Sequence, residues 1–199
     1  MANLPFGLRA IRKLDGSSGN FQTRSVFVPA SDGNAIFLGD LVKYVTMVTT
    51  GNPNLLPTVA QYTTSTAQTA GVVVGINPVI GVTIGSENLN RVYRPASTAY
   101  QLDIIDDQQC VFEIMGADGT ANGTNLLGNF EIYTSIAGST VTGQSGMQLD
   151  IGSVATTATL PLRALAFSQR QGNTLTAVNT VFEVLLNTVA NRNSTGLTL

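Results

Sequence analysis

The side chains in this chain that could do chemistry are few and poorly matched. In 199 residues there is no histidine and one cysteine. Nucleophilic catalysis with a histidine base is therefore excluded. A Ser–Lys pair is formally open, but the only lysines are Lys13 and Lys43. Gly143-Gln144-Ser145-Gly146 is not a nucleophile elbow, because its second glycine comes one place early. Zinc needs histidine or several cysteines. Calcium needs only oxygen ligands, so Asp103, Asp106 and Asp107 qualify by type. Their spacing does not fit an EF-hand loop, and a solvated acidic turn is the simpler reading. Asp106, Asp107 and Glu113 could supply the paired carboxylates of a glycosidase. Tryptophan, the best sugar-stacking face, is absent. No phosphate loop and no dinucleotide fingerprint is present. The chain reads as a non-enzyme, with no metal or cofactor.

Cys110 has no partner for an intrachain disulfide. It lies in an apolar-leaning run with no cation close in sequence, so it reads as a small buried hydrophobe. Charged residues make up 11% of the chain and the formal net charge is −2. Globular proteins average about 25% charged. So weak a field would not draw a phosphate backbone, which argues against nucleic-acid binding. No stretch approaches the roughly 20 apolar residues of a membrane-spanning helix. The apolar residues Leu4 to Leu8 precede Arg9, Arg12 and Lys13, the reverse of a signal peptide. The sequons at Asn122 and Asn193 are then chance matches. A surface of Thr, Ser, Asn, Gln and Gly lacks the self-repulsion that keeps most soluble proteins apart. Such a surface suits life in an assembly.

The elements that would carry these residues are strands. Ser25 to Val28 ends at Pro29, and Asp32-Gly33 marks a turn. Ala35 to Val48 is apolar and broken by Gly39-Asp40, a bulge or turn position. Gly71 to Val82 is a continuous apolar run of the kind buried on both faces. Arg91 to Arg94 is a short strand stopped by Pro95. Tyr100 to Ile105 and Cys110 to Met115 flank the Asp106-Asp107 turn. Asn125 to Tyr133, Leu160 to Phe167 and Asn179 to Val189 complete the set, with Phe182, Val184 and Leu186 on one face. Eight to ten short strands separated by turns predict an all-β fold, a single β-barrel or β-sandwich over residues 25–190. Residues 191–199 read as a polar tail. The segments 49–70 and 135–153 read as long Thr/Asn/Gly-rich loops.

Residues 1–24 read as an extended arm, because Leu4, Phe6, Leu8 and Ile11 fit neither strand nor helix period. Ordering such a segment costs about 1–2 kcal/mol per residue. Burying its few large side chains returns roughly 1.5–3 kcal/mol each. The expectation is an arm that is mobile alone and ordered on a partner, as an added strand.

Taken in order, several segments resemble one family. Met1-Ala2-Asn3-Leu4-Pro5-Phe6-Gly7-Leu8-Arg9-Ala10 is a short apolar start with a Phe-Gly-Leu-Arg step ahead of a Gly/Ser/Asn loop. Gly39-Asp40-Leu41-Val42 follows an aromatic strand. Gly71-Val72-Val73-Val74-Gly75 comes next, then Pro95-Ala96, and Ile105-Asp106-Asp107 leading into Val111-Phe112-Glu113-Ile114. Gly143-Gln144-Ser145-Gly146 with Leu149-Asp150 precedes Leu160-Pro161-Leu162-Arg163-Ala164-Leu165 and Val181-Phe182-Glu183-Val184-Leu185-Leu186-Asn187. This order resembles the tailed-phage capsid decoration (cement, head-stabilising) proteins. The chain departs from that family where it runs on from Arg192 to Leu199 instead of closing on a histidine, and where loop 49–70 is longer.

The resemblance implies a virion structural protein on the outer surface of an icosahedral head. Its partners would be the major capsid protein and neighbouring copies of itself, as a dimer or trimer. The arm residues Leu4, Pro5, Phe6, Gly7, Leu8, Arg9, Ile11 and Arg12 would bind the capsid. The alternative from the Thr/Asn-rich loops is a head-fibre or tail-associated module that binds a host surface.

Overall fold

The computed structural model describes residues 4–17, 21–46, 48, 52, 55–63, 68–78, 91–175 and 179–190. Among these the chain is all-β, as the spacing of turns and apolar runs predicts. The strands are β1 (Arg9–Lys13), β2 (Arg24–Val28), β3 (Leu41–Thr46), β4 (Thr58–Gln61), β5 (Thr69–Pro78) and β6 (Tyr100–Ile105). They continue as β7 (Cys110–Ala117), β8 (Asn129–Tyr133), β9 (Gln148–Ala155), β10 (Leu162–Phe167) and β11 (Val181–Leu186). One short 3-10 turn, Gly123–Asn125, is capped by Asn122.

The strands divide over two sheets. The first is a closed barrel in the order β2-β4-β3-β5-β6. The second runs β1-β7-β11-β10-β8-β9, with a further β7–β9 pairing. That pairing is parallel, Gly116 to Leu149 and Ala117 to Asp150, and bends β7, β11, β10, β8 and β9 into a second ring. A Cβ on Gly116 would lie 2.6 Å from the end of the Ile151 side chain, so a larger residue there would have to displace it. The rest of that β7 edge, Cys110 to Glu113, is filled by β1.

Period-2 alternation explains how the two sheets share a wall. Val42, Val73 and Ile104 point into the first barrel, among Val26, Val28, Val59 and Leu102. Their neighbours Leu41, Val72 and Ile105 point the other way, into the core built by Phe112, Phe130, Leu149 and Phe182. The run Val72-Val73 is thus buried on both faces because each residue serves a different core. Leu8 and Tyr62 join the same wall. Five such side chains at roughly 1.5–3 kcal/mol each tie the two sheets firmly together.

Several sequence expectations change here. Of the expected arm, residues 9–13 form β1 in the second sheet, and Leu8 is 3% exposed in its core. Main-chain bonds to β7 and the ion pairs described below offset the entropy cost of ordering β1. Within residues 25–190 the described strands form a closed five-stranded barrel and a second sheet, which fits the expected all-β barrel or sandwich. Loop 49–70 contains β4, and segment 135–153 contains the start of β9. Arg91 to Arg94 forms only a single bridge, Arg94 with Ile36. The Arg94 side chain is fully buried and bonds the carbonyls of Pro29, Asp32, Asn34 and Thr98. The tail 191–199, residues 1–3 and the end of the Gly71–Val82 run lie outside the described residues.

Phe182 is fully buried and packs against Phe130 and Phe167 at centroid distances of 6.1 and 5.0 Å. Phe182→Ala is expected to cost about 3–5 kcal/mol in urea unfolding. A loss below about 1 kcal/mol would place the core elsewhere.

Candidate functional site

The sequence-selected residues fall in two neighbouring places. The first is the outer face of β1, β7 and β11. Glu113 and Glu183 are direct cross-strand partners, an arrangement that by itself is repulsive. β1 supplies the missing cations. Arg9 bonds Glu113, and Arg12 Nη2 bonds Glu183 at 2.7 Å. Arg170 stands 3.9 Å from the same Glu113 carboxylate, whose other oxygen accepts the Ser168 hydroxyl at 2.6 Å. The guanidinium carbons of Arg9 and Arg170 both lie over the Phe6 ring, 5.4 and 5.5 Å from its centroid. Each such contact is worth about 0.5–1 kcal/mol at an exposed site. Lys13 closes the row on Asp107 at 3.6 Å.

The second place is the turn Phe37 to Asp40. Gly39 has φ +90, and its carbonyl accepts the Leu8 N–H at 2.9 Å. Gly7 has φ +69, and a Cβ there would sit 2.6 Å from the Gly39 oxygen and 2.5 Å from Ser145 Cβ. Both glycines are required by left-handed backbone at close approach. Leu38 N–H donates to the Gly143 carbonyl, and Ser145 N–H donates to the Leu38 carbonyl, both at 2.9 Å. The buried Asp40 carboxylate accepts the Phe37 N–H and the Gln61 amide, each at 3.0 Å.

Among the named arm residues, Phe6, Arg9 and Arg12 therefore share a charged face, while Gly7 and Leu8 are sealed in the junction. Pro5 and Ile11 are half-buried. Leu4 projects, at 80% exposed, and the Arg9 side chain is also exposed. The catalytic candidates are dispersed. Asp103 accepts from Ser25 and Asn77, Asp106 pairs with Arg24 at 2.9 Å, and Asp107 takes Lys13. Ser145 is buried, and its hydroxyl oxygen accepts the Met147 N–H at 3.0 Å. Burial, with Asp107 nearby, pushes the Cys110 thiol up to about 12, so it is un-ionised at neutral pH. Among the described residues no group of three or more His, Cys, Asp or Glu is placed to hold a metal ion. No helix among them is long and apolar enough to cross a membrane.

Sequence reading missed Arg94 and the partners of Asp40. Gly39-Asp40 was visible as a break in an apolar run, but nothing near it in sequence announces Gln61 or Ser145. Comparison with known proteins found no matching family model, no matching curated protein and no matching solved structure.

Glu113→Gln removes the charge that Arg9 and Arg170 share. The expected result is a loss of about 1–3 kcal/mol. Amide exchange over Arg9–Lys13 should accelerate about tenfold or more. The amides of β11 should keep their protection. Unchanged exchange in β1 would show that the ion ladder does not hold the strand.

Proposed function

We propose that this chain is a virion structural protein that binds the outside of an icosahedral phage head and stabilises contacts between major capsid subunits. The observation that carries the reading is how the charges are used. Among the described residues, ion pairs within the fold engage Arg9, Arg12, Lys13, Arg24, Arg94 and Arg170 of the chain's ten Lys and Arg. Their partners Glu113, Glu183, Asp107, Asp106 and Asp32 account for five of the twelve acids. The exterior is left with few free charges and with projecting apolar side chains, among them Leu4, Ile136 and Val141, the last 85% exposed. A nearly uncharged surface tolerates the crowding of many copies on a shell. Weak apolar contacts repeated over that shell gain by multivalency. The ordered set of family-like segments supports the same reading.

The binding mode differs from a free arm laid across a neighbour. With Leu8 in the core, contact with the shell falls to the folded exterior, to Leu4 beside the Phe6 face and to the Val141 loop. Neighbouring copies would meet through the same exterior. The exposed loop around Val141, beside an open cleft, favours one second reading, a head-fibre or tail-associated module for the host surface.

The test is cosedimentation of the purified chain with heads that lack it, and separately with host envelopes. Saturable binding to heads is expected, with apparent affinity changing by less than about threefold between about 0.05 and 0.5 M salt. Leu4→Lys combined with Val141→Lys should weaken it. Binding to envelopes without binding to heads would select the second reading, and binding to neither would overturn both.

A further inference from the structure

The Glu113 carboxylate stands between two arginines and carries one negative charge. One of its oxygens accepts the Ser168 hydroxyl, and the other bonds Arg9. Arg170 Nη1 is left 3.9 Å from that second oxygen, beyond hydrogen-bond reach. Among the described residues the Arg170 guanidinium donates no hydrogen bond, yet it is held in place twice over. Glu113 holds its charge, and its central carbon lies 5.5 Å from the Phe6 ring centroid. The main chain is fixed as well. The Asn173 N–H donates to the Arg170 carbonyl at 3.1 Å, across a turn in which Gly172 has φ +83. Arg170 is therefore an oriented guanidinium, 43% exposed, with its fork of N–H groups unused.

That fork opens on a cleft of about 260 Å³, lined by Arg170 with Phe167, Ser168, Asn173, Leu175 and Thr180 among others. The neighbouring polar groups are engaged with one another. The Asn173 amide donates to the Ser168 and Val181 carbonyls and accepts the Val181 N–H. The Thr180 hydroxyl donates to the Thr174 carbonyl, and the Gln169 amide donates to the Phe167 carbonyl. The apolar contribution comes from Phe167, half-buried, and from Leu175, 49% exposed.

We propose that the Arg170 cleft is a binding site for a carboxylate carried beside an apolar side chain.

Charge and shape select that ligand. Arg9 and Arg170 against Glu113 leave one positive charge in excess, and the adjacent Arg12–Glu183 pair is neutral. One excess charge matches a monoanion. A planar fork of parallel N–H groups matches the two oxygens of a carboxylate. A phosphate or sulfate dianion calls for further cations with free donors, and the described lining supplies Arg170 alone. A cation would be repelled. The apolar neighbour of the carboxylate would cover Leu175 and the edge of Phe167, removing both from water. Because Glu113 and Phe6 already orient the guanidinium, little side-chain freedom is lost on binding. An Asp or Glu side chain and the free end of a chain both present this group. The site could serve the shell contact proposed above but does not rest on it, and the isolated full-length chain is enough to test it.

The experiment is an NMR titration of the full-length chain, following the arginine Nε–H signals and the Leu175 amide. N-acetyl-leucine represents a chain end, and N-acetyl-leucyl-glutamate α-amide represents an acidic side chain. N-acetyl-leucinamide is the neutral control. At least one carboxylate probe is expected to saturate with Kd about 1–20 mM, moving the Arg170 Nε–H and the Leu175 amide. The tighter of the two names the source. The neutral amide should bind about tenfold more weakly or worse. Arg170→Gln should weaken the carboxylate about tenfold or more. Arg170→Lys, which keeps the charge without the fork, should weaken it about threefold or more. Glu113 keeps Arg9 and Ser168 in both variants, so the β11 amide signals should stay where they are. Failure of both probes to saturate below about 100 mM would overturn the proposal. Equal binding of the neutral amide, or unchanged affinity in either variant, would do the same. The comparison of the three probes needs only the unsubstituted chain and stands whether or not the variants fold.

Discussion

Three consecutive residues, Leu38, Gly39 and Asp40, hold this molecule together by their backbone. Gly39 donates to Val73 at 2.8 Å and accepts from Leu8 at 2.9 Å, while the Asp40 carbonyl accepts from Val73 at 2.9 Å. Leu38 adds its two bonds to the loop of the second ring. The N-terminal segment, the first barrel and the second ring therefore meet on one turn. The constraint is steric as well as polar. A Cβ at Gly39 would stand 3.0 to 3.2 Å from the backbone of Phe6 and Leu8, on a residue with φ +90. Only glycine satisfies both demands at low cost.

From that turn the rest follows by alternation and charge. β3 leaves it with Leu41 facing one core and Val42 the other, which makes the wall between the sheets common to both. The N-terminal segment leaves it as β1, whose arginines pair with two glutamates that face each other across β7 and β11. Pairing these cations with carboxylates offsets their charge at the surface, and that exterior is what the proposed role on a shell draws on. The stability of the junction and the character of the surface thus have one origin in where the few charged residues sit.

The all-β class was legible because turn residues and short apolar runs are local signals. The strand positions of β2, β6, β7, β10 and β11 followed from the same patterns. Ring closure was not legible, since the pairing of Gly116 with Leu149 is a long-range event with no local mark. The fate of β1 was hidden for the same reason. Its stabilising partners lie 104 and 171 residues away, and a segment of five residues cannot announce them. β4 was masked by a Thr/Ser-rich stretch whose edge alone forms a strand. Arg94 misled in another way: a cation in an apparent strand suggests a solvated face, yet this one bonds buried carbonyls. Gly39-Asp40 marks an irregularity in the sequence, but its partners Leu8, Gln61 and Ser145 come from distant segments.

Cooperativity of unfolding is the most direct measure of whether this turn unites the whole. Scanning calorimetry of the full-length chain should show one transition, with calorimetric and van 't Hoff enthalpies equal, because the two sheets share a wall and the first strand belongs to the far one. Two separate transitions, one for residues 24–105 and one for 110–186, would mean that the halves are independent and that the account of the junction is wrong.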